Sequence, residues 1–400
     1  MKKTLVHTSF SRSMAFLFAV ACGLAVANIY YAQPLLDALA SEFGITHSLI
    51  GVVITVTQIC YALGLFLLVP LGDLIQRRRL IIIHMGLSVI ALVIVGFAPT
   101  IYILFAGLAI VGLLAVVTQT LVAYASSLAK PTERGQIVGI VTSGVVIGIL
   151  FARSLAGFLT DLAGWRSVYL VSACLMTLIT CVLFKILPSD QQVKSSLSYT
   201  QLLRSMLDLY IQQPILRIRG ILAMLIFIVF SILWTSMVLP LSEPPFSLSH
   251  TAIGAFGLAG IAGTLGAIRA GKLADQGKAQ WTTGIALVLL LLSWVPLSYI
   301  GSSLYWLIVG IVLLDLAVQA VHVTNQSMIF TILPEARGRL TASYMIFYSI
   351  GSAIGSMSST MMYSYAGWSG VCYLGAGVSL LALVFWLVTL KNPAHSQSPS

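Results

Sequence analysis

Twelve stretches of this chain are long and apolar enough to cross a bilayer, and nothing else in the sequence limits its fold as tightly. They cover about residues 14–36, 48–72, 79–98, 101–127, 137–160, 166–187, 220–241, 252–274, 281–300, 303–332, 341–364 and 369–390. A hydrocarbon core demands roughly 20 apolar residues per helical crossing, because backbone amides find no water there and must bond within the helix. Only 8% of the 400 residues are charged, whereas a soluble domain carries about 25%. Too little polar surface exists to coat a water-facing globule. Period-two alternation is absent, which argues against a barrel. The expected fold is an all-α membrane protein with twelve transmembrane helices.

The net charge of +10 does not point to nucleic acid, because the basic residues are scattered among short loops. With both termini in the cytoplasm, 19 of the 21 Lys and Arg residues fall on the cytoplasmic side, leaving Arg166 outside and Arg153 within a span. That bias predicts a multi-pass protein of the inner membrane with cytoplasmic termini. The five cysteines lie in apolar runs without CxxC spacing and read as small packing residues, not a disulfide or metal framework. Lys2, Lys3 and the "AVA" at 25–27 imitate a cleavable leader. The apolar run continues to Leu36, however, so a retained first helix is expected.

One polar interval, about 188–219, divides the chain. Leu202, Leu203, Met206, Leu209 and Tyr210 recur there at helical spacing, predicting an amphipathic segment on the inner membrane surface. The flanking parts, 1–187 and 220–400, are related. Pro131 and Pro334, Gly135 and Gly338, Gly148 and Gly351, Gly164 and Gly367, and Trp165 and Trp368 each stand 203 positions apart. Asp73 and Asp275 close similar segments at an offset of 202. A shift kept over loops and helices predicts a duplicated unit, hence two pseudo-symmetric six-helix bundles. Such halves, with a site between them at mid-membrane, are the architecture of alternating-access carriers.

The segment "PLGDLIQRRR" (70–79) resembles the loop between helices 2 and 3 of the major facilitator superfamily, Gly-x-x-x-Asp-Arg-x-Gly-Arg-Arg, and "GKLADQGK" (271–278) resembles its second-half copy. Asp73, Arg77 and Arg78 match the acid and the basic pair; Val69, Leu74 and Gln76 depart from the pattern. The resemblance implies a cytoplasmic gate of Asp73, Arg77, Arg78 and Asp275. A carboxylate at such a junction also has a physical reading, pairing with the arginines or capping a neighbouring helix end when that side closes; topology anchoring alone would account for the arginines but not for the acid. The fifth span partly resembles the antiporter frame of that superfamily, with Ala152-Arg153 in place of Gly-Pro. Gly144, Gly148, Ala152 and Ala156 still form a small-residue strip for close helix contact. Leu108 occupies the place where drug/proton antiporters carry an arginine.

Arg153 is the residue that most needs explaining, since hydrocarbon penalises a guanidinium by ~2.5–3.5 kcal/mol even on lenient scales. Of the eleven acids, Asp315 alone lies well inside a span, at a depth comparable to that of Arg153. The two are expected to approach across the halves in at least one state; backbone carbonyls or water within its own half are the alternative for Arg153. Asp315, Gln319, His322 and Gln326 share a stripe about 60° wide on the tenth helix. Such a stripe must face protein or an aqueous cavity. Asp315 and His322 are candidate proton carriers, with Arg153 tuning them; a static hydrogen-bonded network is the plain alternative. In the superfamily, helices 1, 4, 7 and 10 line the cavity, so the resemblance also implies Asn28, Tyr31, Gln119 and Trp234 as cavity residues, beside Gln319 and Gln326.

No nucleophile elbow, zinc spacing or nucleotide motif accompanies these residues, so neither an enzyme nor an ATP-driven pump is expected, and no cofactor or metal is called for. The expected function is secondary active transport of a small organic solute, with export against proton entry ahead of proton-coupled uptake or facilitated diffusion. A receptor or assembly role would call for a sizeable extramembrane domain, and the loops are short. Expected partners are the solute, protons and the lipid bilayer, with the chain working as a monomer.

Overall fold

A helix in lipid keeps its apolar character all round, and burial is sorted by size and polarity instead. The third helix illustrates this: Ile83, Leu87 and Ile90 point outward, whereas Met85, Ser88, Ala91 and Leu92 are buried. The computed structural model describes residues 12–130, 133–188, 197–330 and 337–390, with the side chains of Arg134, Ala262, Asp275 and Arg337 outside that description. The motif prolines Pro131 and Pro334 lie outside it as well.

Eleven helices among the described residues are long and apolar enough to cross a membrane. They are α1 (Arg12–Phe43), α2 (Val52–Asp73), α3 (Arg77–Gly96), α4 (Ile101–Leu128), α5 (Gly135–Ala163) and α6 (Trp165–Ile186). After the linker come α7 (Pro214–Ser242), α8 (His250–Ala274), α9 (Ala279–Ser298), α10 (Leu304–Phe330) and α11 (Gly338–Thr389). The difference from the twelve expected spans lies in α11. Its 52 residues would stretch about 80 Å if straight, far beyond one crossing. They are broken at Ala366 (φ −134°, ψ 16°) and Gly367 (φ 59°, ψ −158°), so two helices meet there without a loop. Gly164, between α5 and α6, has φ 78° at the repeat-equivalent position. Both joints use a backbone region that glycine enters freely.

The small-residue strip of α5 does what its spacing predicts. Gly144 and Gly148 meet the α1 backbone at Ala19 and Gly23, where a Cβ would have no room. Gly351 and Gly355 of α11 approach the α7 backbone at Met224 and Ile228 in the same manner. Contacts between the two parts of the chain run through α5 with α8 and α2 with α11. Several helices lose regularity near these crossings: α1 turns 3-10 at Gln33–Leu35, and α8 does so at Phe256–Gly260.

The linker helix (Tyr199–Gln212) starts with a reciprocal capping box between Ser198 and Gln201. Leu202, Met206 and Leu209 form its buried face. Tyr199 Oη donates to the Leu67 carbonyl of α2 (2.8 Å) and Tyr210 Oη to the Ser343 carbonyl of α11 (2.8 Å). The amphipathic face expected to lie on lipid therefore packs on helix ends of both parts.

Candidate functional site

Arg153 is 2% exposed. Pro34 ends the regular turn of α1 and leaves Gln33 beside α5, where its Oε1 accepts from Arg153 Nε at 2.7 Å. The guanidinium carbon lies 3.8 Å from the centre of the Trp234 ring, with Tyr30 at 5.2 Å and Phe230 at 5.5 Å. A cation surrounded by ring faces gains ~2 kcal/mol or more per good contact when desolvated. Its Nη2 is buried without a hydrogen-bond partner.

Asp315, 5% exposed, accepts from the Nε1 of the same Trp234 at 3.1 Å. No nitrogen–oxygen pair between Arg153 and Asp315 falls within 4.0 Å among the described residues. The depth comparison thus brings the two residues to one place, and a single indole touches both. α8 makes room for them with glycine: a Cβ on Gly257 would lie 3.1 Å from Arg153 Cβ, and one on Gly260 2.9 Å from Asp315 Oδ2. The centre therefore combines α1 and α5 from one part with α7, α8 and α10 from the other. Tyr30 also hydrogen-bonds Tyr348 of α11 across the same divide.

His322 sits apart from Asp315, its Nδ1 2.9 Å from Tyr344 Oη and its ring edge-to-face with Phe227. Gln319 lies against Gly263 of α8 and Gln326 is half-buried, so the polar stripe of α10 spreads over several neighbours. Asn28 accepts from Ser172 of α6 (2.7 Å), and Tyr31 stacks edge-on with Tyr169. Both therefore face α6, and the neighbouring Tyr30 reaches the centre. Gln119 is half-buried and bonds Tyr61. At the terminus-bearing end, Arg78 Nη2 donates to the Phe184 carbonyl (2.7 Å). Asp73 makes no ion pair with Arg77 or Arg78 among the described residues, and the Asp275 side chain lies outside the description. Arg219, counted above with the loops, is instead fully buried in α7, where its Nη1 donates to Asn325 Oδ1 at 3.3 Å.

The Major Facilitator Superfamily sequence model matches residues 16–300 and 220–400. The chain belongs to the major facilitator superfamily. It is 47% identical to the "Uncharacterized transporter YgaY" of Escherichia coli O157:H7, over 96% of this chain and 97% of that one. It is 22% identical to a "Probable sugar efflux transporter" of Helicobacter pylori, over 96% and 97% of the two chains. A bacterial homolog of the human lysosomal transporter Spinster shares its fold, with a TM-score of 0.79 at 14% identity over 97% and 98% of the two chains. This facilitator is thus a multi-pass membrane transporter.

Sequence reasoning passed over three groups in this facilitator. Tyr30 stands beside the predicted Tyr31 in "NIYYAQP" and differs from it in the face of α1 that it occupies, whereas Gln33, a polar residue that the stretch did offer, is turned toward α5 by the broken end of the helix. Tyr348 stands 318 positions from Tyr30, and no local pattern connects the two. His250 is the third. At the end remote from the termini, its ring lies between Asp37 of α1 and Asp161 of α5. A histidine beginning an apolar run gave no signal of that clamp.

Proposed function

We propose that this facilitator exports a small organic solute across the cytoplasmic membrane in exchange for entering protons, by alternating access of two six-helix halves. In this reading the break at Gly367 separates the eleventh and twelfth spans. The halves are 1–187 and 220–400, the linker between them is 188–219, and both termini are cytoplasmic. The observation that carries it is the Arg153–Trp234–Asp315 cluster, drawn from helices of both halves. Asp315 is the proton carrier, Arg153 its counter-charge, and Trp234 the group through which each senses the other. His322, Gln119, Gln319 and Gln326 shape the surrounding cavity and proton path, while Asn28 and Tyr31 support it from behind through their contacts with α6. Asp73, Arg77, Arg78 and Asp275 close the cytoplasmic gate in the opposite state, which fits the lack of an ion pair between Asp73 and Arg77 or Arg78 among the described residues. The efflux activity named for the Helicobacter pylori relative supports the direction.

The unpartnered Nη2 of Arg153 favours a second reading, proton-coupled uptake of an acidic solute. A carboxylate beside Arg153 keeps the centre neutral only while a proton occupies Asp315, so solute and proton would then travel together. A solute that competes with the proton gives exchange. The sign of coupling separates the two. In proteoliposomes screened over a compound panel, solute added outside drives protons out of the lumen for exchange and into it for co-transport. Asp315→Asn is expected to abolish either flux, and unchanged coupling in that variant would remove Asp315 from the mechanism.

A further inference from the structure

We propose that His250 is a second proton-binding site, separate from the central cluster, and that its proton locks the end of the transporter remote from the termini. The ring Nδ1 lies 2.9 Å from Asp161 Oδ1, and Nε2 lies 3.2 Å from Asp37 Oδ1. A neutral imidazole offers one N–H and one lone pair, so it satisfies one carboxylate and repels the other. Only the imidazolium donates to both. Asp161 further accepts the backbone N–H groups of His250 (3.1 Å) and Thr251 (2.7 Å), which fixes its carboxylate against the ring.

The clamp joins three elements from both parts of the chain: α1 through Asp37, α5 through Asp161, and α8 through His250. It sits where α5 and α8 touch, with Gly157 against the His250 carbonyl and Ser154 Oγ donating to the Gly254 carbonyl at 3.1 Å. Three other ionisable groups on the elements around the clamp have partners of their own. Glu42 pairs with Arg166 (2.5 Å), Glu243 with His47 (3.6 Å), and Arg153 bonds Gln33. Side-chain exposures of 23% for His250, 23% for Asp37 and 30% for Asp161 leave the clamp open to protons from the adjacent aqueous phase. Among the described residues none of the three hydrogen-bonds to Arg153 or Asp315, so the clamp is bonded separately from the central cluster.

The sign follows from linkage. The contacts exist only while this end is closed, so the closed form holds the proton more tightly than the open form. Closure is therefore favoured at low pH and weakened as pH rises through the histidine's titration. On the proposed topology this end faces outward, and external acid holds the carrier open to the cytoplasm.

Spin labels test this without any solute. Thr100→Cys and Ser302→Cys place labels on exposed loops at this end, in full-length chain with the five native cysteines replaced, in lipid nanodiscs. Between about pH 5 and about pH 9, which spans histidine titration, the short-distance population should give way to a longer one. His250→Gln should raise the long-to-short ratio about tenfold at the acidic end, the equivalent of one unit in a proton equilibrium, and flatten the pH response. His250→Lys, which keeps a fixed charge, should hold the short distance at both extremes. The proposal is overturned if the intact clamp shows no pH response, or if either variant follows the unmodified curve. Should His250→Gln fail to give a defined distance, His250→Lys and Asp161→Asn decide the matter, the latter by losing the acidic short-distance population.

Discussion

The α5–α8 and α2–α11 crossings occupy equivalent positions, yet one buries charge and the other does not. Gly254 of α8 sits against the Arg153 carbonyl of α5; 203 positions earlier, Gly51 sits against the Ser356 carbonyl of α11. Arg153 and Ser356 are thus counterparts, and so are His250 and His47. The position matching Asp315 is Gly112, packed on the Thr57 backbone of α2. Ser356 merely exchanges a hydroxyl contact with Thr235 (2.9 Å), and His47 meets one exposed carboxylate. The close backbone contact recurs on both sides while the buried ionisable groups stand on one. The lesson is that close glycine crossings hold the two parts together at both seams, whereas buried ionisable groups are concentrated at one.

Substitutions in pairs can break that comparison. Arg153→Ala should lower transport in proteoliposomes about a hundredfold, since removing one member of a buried charge cluster costs ~3–5 kcal/mol. Ser356→Ala, a small change at the uncharged counterpart, should stay within about twofold of the unmodified protein. Comparable losses in both would mean that the charge is not what distinguishes the seams. Gly254→Val and Gly51→Val should each disfavour closure of the end remote from the termini by about 1–3 kcal/mol, because the added carbons meet backbone that cannot yield. Unequal shifts in the loop-label distances would show the two crossings to be energetically different.

The histidine pair sharpens the contrast at lower energy. His250→Gln should move the closed-to-open ratio about tenfold, while His47→Gln, whose ion pair is nearly half exposed at 45% and 47%, should move it less than about twofold. Thr360→Ala has a smaller expected effect than His250→Gln. It removes one hydrogen bond to the Ser48 carbonyl (3.2 Å), worth about 1 kcal/mol, and should lower closure without altering its pH dependence.

The membrane helices were legible in the sequence because hydrocarbon allows so few ways to satisfy a backbone. Gly164 and Gly367, paired in the sequence by their offset, fall at two joints that use glycine's freedom at positive φ, and the strip of Gly144 and Gly148, expected to allow close helix contact, found its partner in α1. Arg153 and Asp315 could be placed near each other by depth alone. Their bridging through Trp234 could not, since an indole in an apolar run looks the same whether it faces lipid, solute or a guanidinium. Asn28 and Tyr31 stand three positions apart on one face of α1 and turn it to α6; placing α1 at the cavity did not say which of its faces looks inward. His250 was invisible for a different reason: its partners lie 89 and 213 positions away, and polar residues at helix ends ordinarily meet water.

The fourteen residues of the linker helix behave as a short splint riveted at both ends. One rivet is the Tyr199 hydroxyl on α2; the other combines Tyr210 and the Arg339–Ser205 contact on α11 (2.8 Å). A stiff rod about 21 Å long cannot stretch when the bodies it joins tilt apart. Any tilt must therefore be taken up at its attachments, the Tyr199 hydroxyl on α2 or the Tyr210 and Ser205 contacts on α11.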